Sequence, residues 1–310
     1  MARSGGYGIM LAFLIGVGST TFFVERTGEE WMRLYGLLAG MIPLLIVAII
    51  DDLYRLKPGP QAIGHVLAAA AAMAFGLVID SIANPWGTVT ELAMWVAIPF
   101  TMFWIVGMIN TVNFLDTMDG VAGGVAAIAA AILFARSIDL GQDSVATLPL
   151  VLMAACLGFL VHNFNPARLF MGSSGSLFLG YALAILAIFG GAKIATAAMV
   201  MGIPILDVAL VIIFRRARGR SPFAGGDSAL LTQRLYALGW SQRRIALGLY
   251  AVCASAGALA LSMSRVEKVY LFSGVLVIFI GLVIIVLAQV RRIDAEKRSR
   301  AAHPTTNRHS

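Results

Sequence analysis

Ten apolar stretches, each long enough or nearly long enough to cross the hydrocarbon core of a bilayer, follow one another along this chain of 310 residues. They lie at about 7–24, 33–50, 62–79, 92–109, 120–135, 147–163, 176–191, 194–214, 243–263 and 269–289. Only 13% of the residues are charged, whereas a soluble domain carries about a quarter. The sequence therefore predicts an all-α polytopic membrane protein of about ten transmembrane helices, with residues 1–290 forming a single transmembrane domain.

The basic residues are distributed unevenly between the predicted loops. If the N-terminus is cytoplasmic, 17 of the 23 Lys and Arg residues fall on the inner side. Because an excess of Lys and Arg marks cytoplasmic loops, both termini are expected inside. Residues 291–310 are predicted to be a disordered basic tail on the cytoplasmic membrane surface. The net charge of +7 belongs to these loops and this tail, and it does not indicate nucleic-acid binding.

Four polar residues at steps of three separate the fourth and fifth apolar stretches: Asn110, Asn113, Asp116 and Asp119. On one helix the first three would share a face. Carboxylates and amides at the mouth of a membrane span are costly unless they meet a cation, a phosphate or water. A simple helix end, with Asp119 as N-cap of the next helix, would explain Asp119 alone. The pattern therefore predicts a polar binding site at the membrane boundary.

Three more polar segments fall on the same cytoplasmic side in this topology. Asp51 and Asp52 follow the second stretch directly and are either an interfacial acidic pair answered by Arg55 and Lys57 or part of the site. Residues 163–176 contain a Gly–Ser turn whose N–H groups could face an anion at a helix N-terminus. The arginines of loop 215–242 suit phosphates and anionic lipids equally well.

Together these segments resemble the polyprenyl-phosphate N-acetylhexosamine-1-phosphate transferase family, which includes the phospho-MurNAc-pentapeptide translocase. The matching motifs are Asp51-Asp52 with Lys57-Pro58, the set Asn110, Asn113, Asp116, Asp119 and Gly120, the run Asn163-Phe164-Asn165-Pro166-Ala167 with Phe170-Met171-Gly172 and Gly175-Ser176, Pro204 with Asp207, and Ser221-Pro222-Phe223 with Arg234-Leu235. Arg3-Ser4-Gly5-Gly6 looks like the loop after the family's first span, so the chain is expected to lack that helix.

The resemblance implies transfer of a sugar-1-phosphate from a UDP-sugar of the UDP-N-acetylhexosamine type to undecaprenyl or another polyprenyl phosphate, with release of UMP. This would be the first membrane step of a cell-envelope glycan, at the cytoplasmic face of the bacterial inner membrane. It implies Mg²⁺ as cofactor, with Mn²⁺ as the alternative, and it is compatible with a homodimer. A catalytically impaired member that binds lipid phosphate or nucleotide as a regulator stays open, as does an unrelated transporter, although transporters carry ionisable groups near the midplane of several spans.

The resemblance also implies roles for individual residues. The catalytic group comprises Asp51, Asp52 and Asp116. The substrate-binding group comprises Lys57, Asn110, Asp119, Asn163, Asn165 and Arg234. The metal group comprises Asn113 and position 173, where the family has an Asp and this chain has Ser173.

Two motifs depart further from the family pattern. The family's histidine cluster should fall near 230–233, where this chain reads Leu230-Leu231-Thr232-Gln233, and Thr117 replaces a usual Gly. A neutral hydroxyl at position 173 gives the metal one negative charge less than a carboxylate would, so weaker Mg²⁺ binding is expected. These departures predict either altered activity or an impaired member.

Overall fold

The computed structural model describes residues 5–284 except Arg55, 84–87, Ala192, Arg218, 220–229, Arg265, 269, 272, 276, 279 and 282–283. The predicted tail at 291–310, the Ser221-Pro222-Phe223 motif and part of the tenth predicted span lie outside the described residues.

The described part of the chain is almost entirely helical. In chain order its elements are α1 (Gly5–Thr20), α2 (Gly28–Tyr54), α3 (Pro58–Ala74), β1 (Ser81–Ala83), β2 (Val89–Glu91), α4 (Met94–Leu115), α5 (Val121–Asp139), α6 (Asp143–Asn163), α7 (Gly172–Ile188), α8 (Ile194–Val200), α9 (Gly202–Ala217), α10 (Leu231–Ala237) and α11 (Gln242–Ser262). The two strands pair antiparallel, Ile82 opposite Thr90, and this short hairpin between α3 and α4 is the one departure from the all-α prediction within the described residues.

Five of the described helices are long and apolar enough to cross a membrane: α2, α4, α5, α6 and α11. The predicted eighth span is two helices, α8 and α9, which bend by 72° at Met201 and make a sixth candidate if counted as one broken span. Helices α1 and α7 are apolar but shorter, with 16 and 17 residues. The chain is therefore a multi-pass helical membrane protein. The count of ten spans, the cytoplasmic termini and the lack of a first family helix stay predictions.

Helix α7 is the centre of the bundle, since its residues from Ser174 to Ile188 are all buried. It packs against α1, α2, α4, α5 and α8. Gly180 lets α4 approach closely, because a Cβ there would lie 2.6 Å from the Ile109 Cα. The Tyr181 hydroxyl donates a hydrogen bond to the Leu37 carbonyl at 2.9 Å and so ties α7 to α2. These contacts fix where the N-terminus of α7 lies.

The break between α8 and α9 brings a further segment to the same region. Pro204 lies in the first turn of α9, where a missing N–H costs no helical hydrogen bond. One turn later, both carboxylate oxygens of Asp207 accept the Leu231 N–H at 3.0 Å. Asp207 therefore holds the start of α10.

Candidate active site

A cleft of about 490 Å³ opens where α4, α6 and α7 end or begin. Its lining residues are Asn113, Asp116, Thr117, Met118, Asp119, Asn163, Phe170, Met171, Gly172, Ser173 and Ser176. They come from the end of α4 and the turn after it, from the end of α6 and the loop after it, and from the start of α7. The structure thus brings five of the predicted site residues into one cavity, although residues 113 and 173 are 60 positions apart in sequence.

Asn113 and Asp116 lie at the end of α4. Asn113 is in the last helical turn, and its Oδ1 accepts a hydrogen bond from the Ser176 hydroxyl at 3.1 Å. Asp116 is the C-cap residue, just beyond the helix. Burial, and secondarily the charge of Asp119, raises the pKa of Asp116 to about 7. The cleft therefore holds a carboxyl group that gains or loses its proton near neutral pH.

Asp119 is held by the α6–α7 loop. Its Oδ2 accepts hydrogen bonds from the Asn165 side-chain amide at 2.9 Å and from the Ala167 N–H at 3.0 Å. The Asn165 amide also donates to Gln242 Oε1 at 3.0 Å, which joins the start of α11 to this network. The N-cap position of α5 belongs to Gly120, whose φ is +78°, so the interpretation of Asp119 as an N-cap is wrong.

Asn163 connects the two loops on either side of the cleft. Its Oδ1 accepts the Gly120 N–H at 2.9 Å, and its Nδ2 donates to the Leu169 carbonyl at 2.8 Å. The Tyr250 hydroxyl of α11 donates to the Gly120 carbonyl. Because both polar atoms of the Asn163 side chain are engaged by the backbone, this residue fixes the shape of the cleft wall.

The adjacent carboxylates of Asp51 and Asp52 have different surroundings. Asp51 is buried and accepts the Leu56 N–H at 2.8 Å, which closes the turn after α2. Asp52 reaches the first turn of α7, where its Oδ1 accepts the Ser173 N–H at 3.0 Å, and its Oδ2 accepts the Tyr7 hydroxyl at 3.3 Å. Asp52 therefore lies at the edge of the cleft, whereas Asp51 does not reach it.

Besides Asp51, Asp52 and Asn165, three predicted site residues do not line the cleft. The Asn110 amide donates to the Val106 carbonyl of its own helix at 2.7 Å. Lys57 lies at the start of α3, and Arg234 is exposed on α10. Their roles in substrate binding stay predictions.

The segment where the resemblance predicts a histidine cluster contacts the cleft through a hydroxyl. Thr232, in α10, is 3% exposed, and its Oγ1 lies 3.4 Å from the Oγ1 of Thr117. The two threonines at predicted departures from the family pattern are therefore neighbours in space.

The oxygen donors of the cleft fit a hard divalent cation. Mg²⁺ is held in proteins by one or two carboxylates together with substrate phosphates. The cleft offers the Asp116 carboxylate, the Asn113 carbonyl and the hydroxyls of Ser173 and Ser176. The described residues contain no group of three His, Cys, Asp or Glu side chains that could hold a metal alone. This donor set fits Mg²⁺ bound jointly with a phosphate-bearing substrate.

Four residues of this region escaped the sequence analysis: Tyr7, Ser176, Gln242 and Tyr250. Each acts through a contact between elements distant in sequence. Only the position of Ser176, at the end of a matched Gly-Ser pair, carried any signal.

Comparison with known proteins agrees with this geometry. A sequence model of glycosyl transferase family 4 matches residues 34–191, which include every residue that lines the cleft. A probable undecaprenyl-phosphate N-acetylglucosaminyl 1-phosphate transferase of Bacillus subtilis is 30% identical over 96% of this chain and 82% of its own length. A decaprenyl-phosphate N-acetylglucosaminephosphotransferase of Mycobacterium tuberculosis is 32% identical over 74% of this chain and 62% of its own length.

A more distant kind of relative also matches. A phospho-N-acetylmuramoyl-pentapeptide-transferase of Anoxybacillus flavithermus is 31% identical over 78% of each chain. Since the family match covers half of the sequence and contains the whole cleft, the chain belongs to glycosyl transferase family 4.

Proposed function

We propose that this chain transfers a sugar-1-phosphate from a UDP-N-acetylhexosamine to undecaprenyl or another polyprenyl phosphate. An oxygen of the lipid phosphate attacks the β-phosphorus of the UDP-sugar. The bond from that phosphorus to the bridging oxygen breaks, and UMP leaves. The names of the relatives, which pair a polyprenyl phosphate with N-acetylglucosamine phosphate, support the two substrate classes. The proposed place is the cytoplasmic face of the bacterial inner membrane, and the proposed role is the first membrane step of an envelope glycan.

The central difficulty of this reaction is bringing two anions together. A phosphate monoester with a second pKa of about 6 is mostly dianionic at pH 7, so the nucleophile needs little help from a base. Mg²⁺, when bound by Asn113 and Asp116, would supply the positive charge that the phosphates require. The Ser173 hydroxyl is assigned as a donor to a phosphate oxygen in the same cleft, whereas the Ser176 hydroxyl donates to Asn113 Oδ1 and so holds that amide.

The nucleotide is assigned to the Asp119 side of the cleft. The hydrogen bonds of Asp119 with the α6–α7 loop use Oδ2, and Oδ1 accepts none among the described residues. An acceptor left open in a cleft suits an N–H or O–H donor of a nucleoside. Asn165 keeps this carboxylate in place and therefore supports nucleotide binding indirectly.

The lipid phosphate is assigned to the Asp52 side. Asp52 comes from the end of α2, and its carboxylate borders the first turn of α7. There it can orient the lipid phosphate or accept its last proton when the monoanion binds. Asp51, which is engaged by the turn after α2, is assigned to holding that turn.

The observation that carries the proposal is that Asn113, Asp116, Asp119 and Ser173 line one cleft. The test uses the full chain in detergent with polyprenyl phosphate, a panel of UDP-sugars and Mg²⁺. UMP release that requires both the lipid and Mg²⁺ is expected, together with a loss of at least about a hundredfold in Asp116→Asn, as for other transition-state electrostatic groups. Tyr236→Phe, an exposed change on α10, is the matched control and is expected to keep full activity.

The second candidate is the catalytically impaired member that binds lipid phosphate or nucleotide. The neutral Ser173 and the lack of histidine at 230–233 favour it. Binding of UDP-sugar or polyprenyl phosphate without UMP release from any donor would establish this second function and refute the first. Family membership excludes the unrelated transporter.

A further inference from the structure

The N-terminal end of α1 is packed against the loop and helix that form the cleft. The Gly5 N–H donates to the Phe170 carbonyl at 3.0 Å, and the Gly6 N–H donates to the Met171 carbonyl at 2.9 Å. Phe170 and Met171 both line the cleft. The first residues of α1 are thus fixed to the cleft wall by backbone hydrogen bonds, which do not depend on side-chain identity.

A pair of glycines makes this contact very close. A Cβ on Gly6 would lie 2.1 Å from the Gly175 nitrogen and 2.7 Å from the Ser174 hydroxyl, and a Cβ on Gly175 would lie 2.8 Å from the Gly6 Cα. Only glycine at both positions allows the two helix ends to touch. As a result, Tyr7, the next residue of α1, projects from a rigid base.

Tyr7 spans the gap from this base to Asp52. Its hydroxyl lies 3.3 Å from Asp52 Oδ2, and the other oxygen of the same carboxylate accepts the Ser173 N–H at 3.0 Å. The two donors come from different helices and hold the two oxygens separately, so the carboxylate plane cannot rotate without losing one of them. Each carboxylate oxygen can accept a second hydrogen bond, so Asp52 can still bind a donor group of a ligand.

We propose that Tyr7 is a positioning residue of the transferase site, which orients the Asp52 carboxylate toward the lipid phosphate. The inference rests on the proposed function and deepens it, because it assigns α1 a part in handling the acceptor substrate. Tyr7 itself does not line the cleft, and its effect passes through Asp52. Loss of its hydroxyl would leave Asp52 fixed by one hydrogen bond.

The test compares Tyr7→Phe with Tyr54→Phe in the full chain. Both changes remove one phenolic hydroxyl, and Tyr54 follows Asp52 by two residues, but Tyr54 is 76% exposed and does not line the cleft. Tyr7→Phe is expected to lower kcat/KM for polyprenyl phosphate about five- to tenfold, as the loss of one hydrogen bond of typical net strength predicts. The KM for the UDP-sugar and the unfolding temperature are expected to stay at the wild-type values.

The two kinds of failure can be separated. If the wild-type chain releases no UMP, the proposed function fails, and the inference about Tyr7 fails with it. If the wild type is active and Tyr7→Phe matches Tyr54→Phe, only the inference is overturned. An equal rise in the KM of both substrates, or a loss of activity that follows a lower unfolding temperature, also overturns it, because a structural role would produce that result.

A double variant adds a second readout. Asp52→Glu keeps the charge but shifts the carboxylate by one methylene, which changes its geometry toward the Tyr7 hydroxyl. If Tyr7 acts through Asp52, adding Tyr7→Phe to Asp52→Glu is expected to change kcat/KM less than about twofold. A further five- to tenfold loss, about the same as in the wild-type background, would show that Tyr7 acts independently and would overturn the proposal.

Discussion

Restoring a carboxylate at position 173 tests the electrostatics of the cleft directly. The Ser173 nitrogen lies 3.0 Å from Asp52 Oδ1, so the carboxylate of Ser173→Asp would lie on the order of 5 Å from that of Asp52. At an effective dielectric constant of about 20, two like charges at this separation repel by about 3 kcal/mol. Without a divalent cation, the substitution is therefore expected to lower the free energy of unfolding by up to about that amount.

A divalent cation reverses the sign of the effect. Asp116 and a carboxylate at 173 would give the cation two negative ligands, where the wild-type cleft supplies one. Tighter binding stabilises the folded state by RT ln(1 + [L]/Kd), which is about 2.7 kcal/mol at a concentration of 100 times Kd. Mg²⁺ is thus expected to raise the unfolding temperature of Ser173→Asp far more than that of the wild type, and UMP release is expected to increase.

The assay is thermal unfolding in detergent, in EDTA and across a Mg²⁺ titration, with UMP release measured on the same samples. Ser173→Asn is the matched control, because it has the size of Asp without the charge. If the Asp and Asn variants respond equally to Mg²⁺, position 173 does not face the metal, and the charge argument is refuted. A stability in EDTA equal to that of the wild type would show that Asp52 and residue 173 do not interact.

Three further predictions concern other parts of the site. Asp119→Asn removes the charged acceptor of two hydrogen bonds and is expected to raise the KM for the UDP-sugar at least about tenfold, measured by UMP release, with the KM for the lipid unchanged. Gly6→Ala is expected to lower both the unfolding temperature and activity, whereas Gly8→Ala, with no atom within 4 Å of its new Cβ, leaves both unchanged. The pKa of Asp116 is about 7 in the folded protein, against an ordinary Asp value of 3.8, so the folded protein retains a proton that the unfolded chain releases. The stability of the metal-free protein is therefore expected to fall as the pH rises from about 4 to about 7. Asp116→Asn is expected to flatten that part of a thermal-unfolding pH series.

The apolar pattern predicted the helices well where hydropathy alone decides their extent. It failed at two places where polar contacts or breaks intervene. The fourth stretch was predicted to end at 109, but α4 continues to Leu115, because Asn110 satisfies its amide on the Val106 carbonyl of its own helix. The eighth stretch was predicted as one span, but Gly202 begins a second helix at 72° to the first, which hydropathy cannot register.

The sequence predicted residues that line the candidate site, but it did not predict the hydrogen bonds between them. The three-residue spacing identified Asn113, Asp116 and Asp119, and all three line the cleft. No pattern in the sequence indicates that Asp52 accepts the Ser173 N–H, since that contact depends on how α2 packs against α7. The same holds for Tyr7, whose position follows from a close contact of two glycines on separate helices.

Two positions at which the resemblance predicts other residues contact each other. The resemblance implies Gly at 117 and a histidine cluster near 230–233, and the hydroxyls of Thr117 and Thr232 lie 3.4 Å apart. Because Thr232 is only 3% exposed, a histidine there would collide with its surroundings as long as Thr117 keeps its side chain. Thr232→His alone is therefore expected to lower both the unfolding temperature and UMP release. Adding Thr117→Gly is expected to recover both properties. In the double-variant cycle, the free energy of unfolding is expected to exceed the additive value by at least about 1 kcal/mol, because the two positions share one space. Additive effects in this double-variant cycle would show that positions 117 and 232 do not share one space, and they would refute the steric argument.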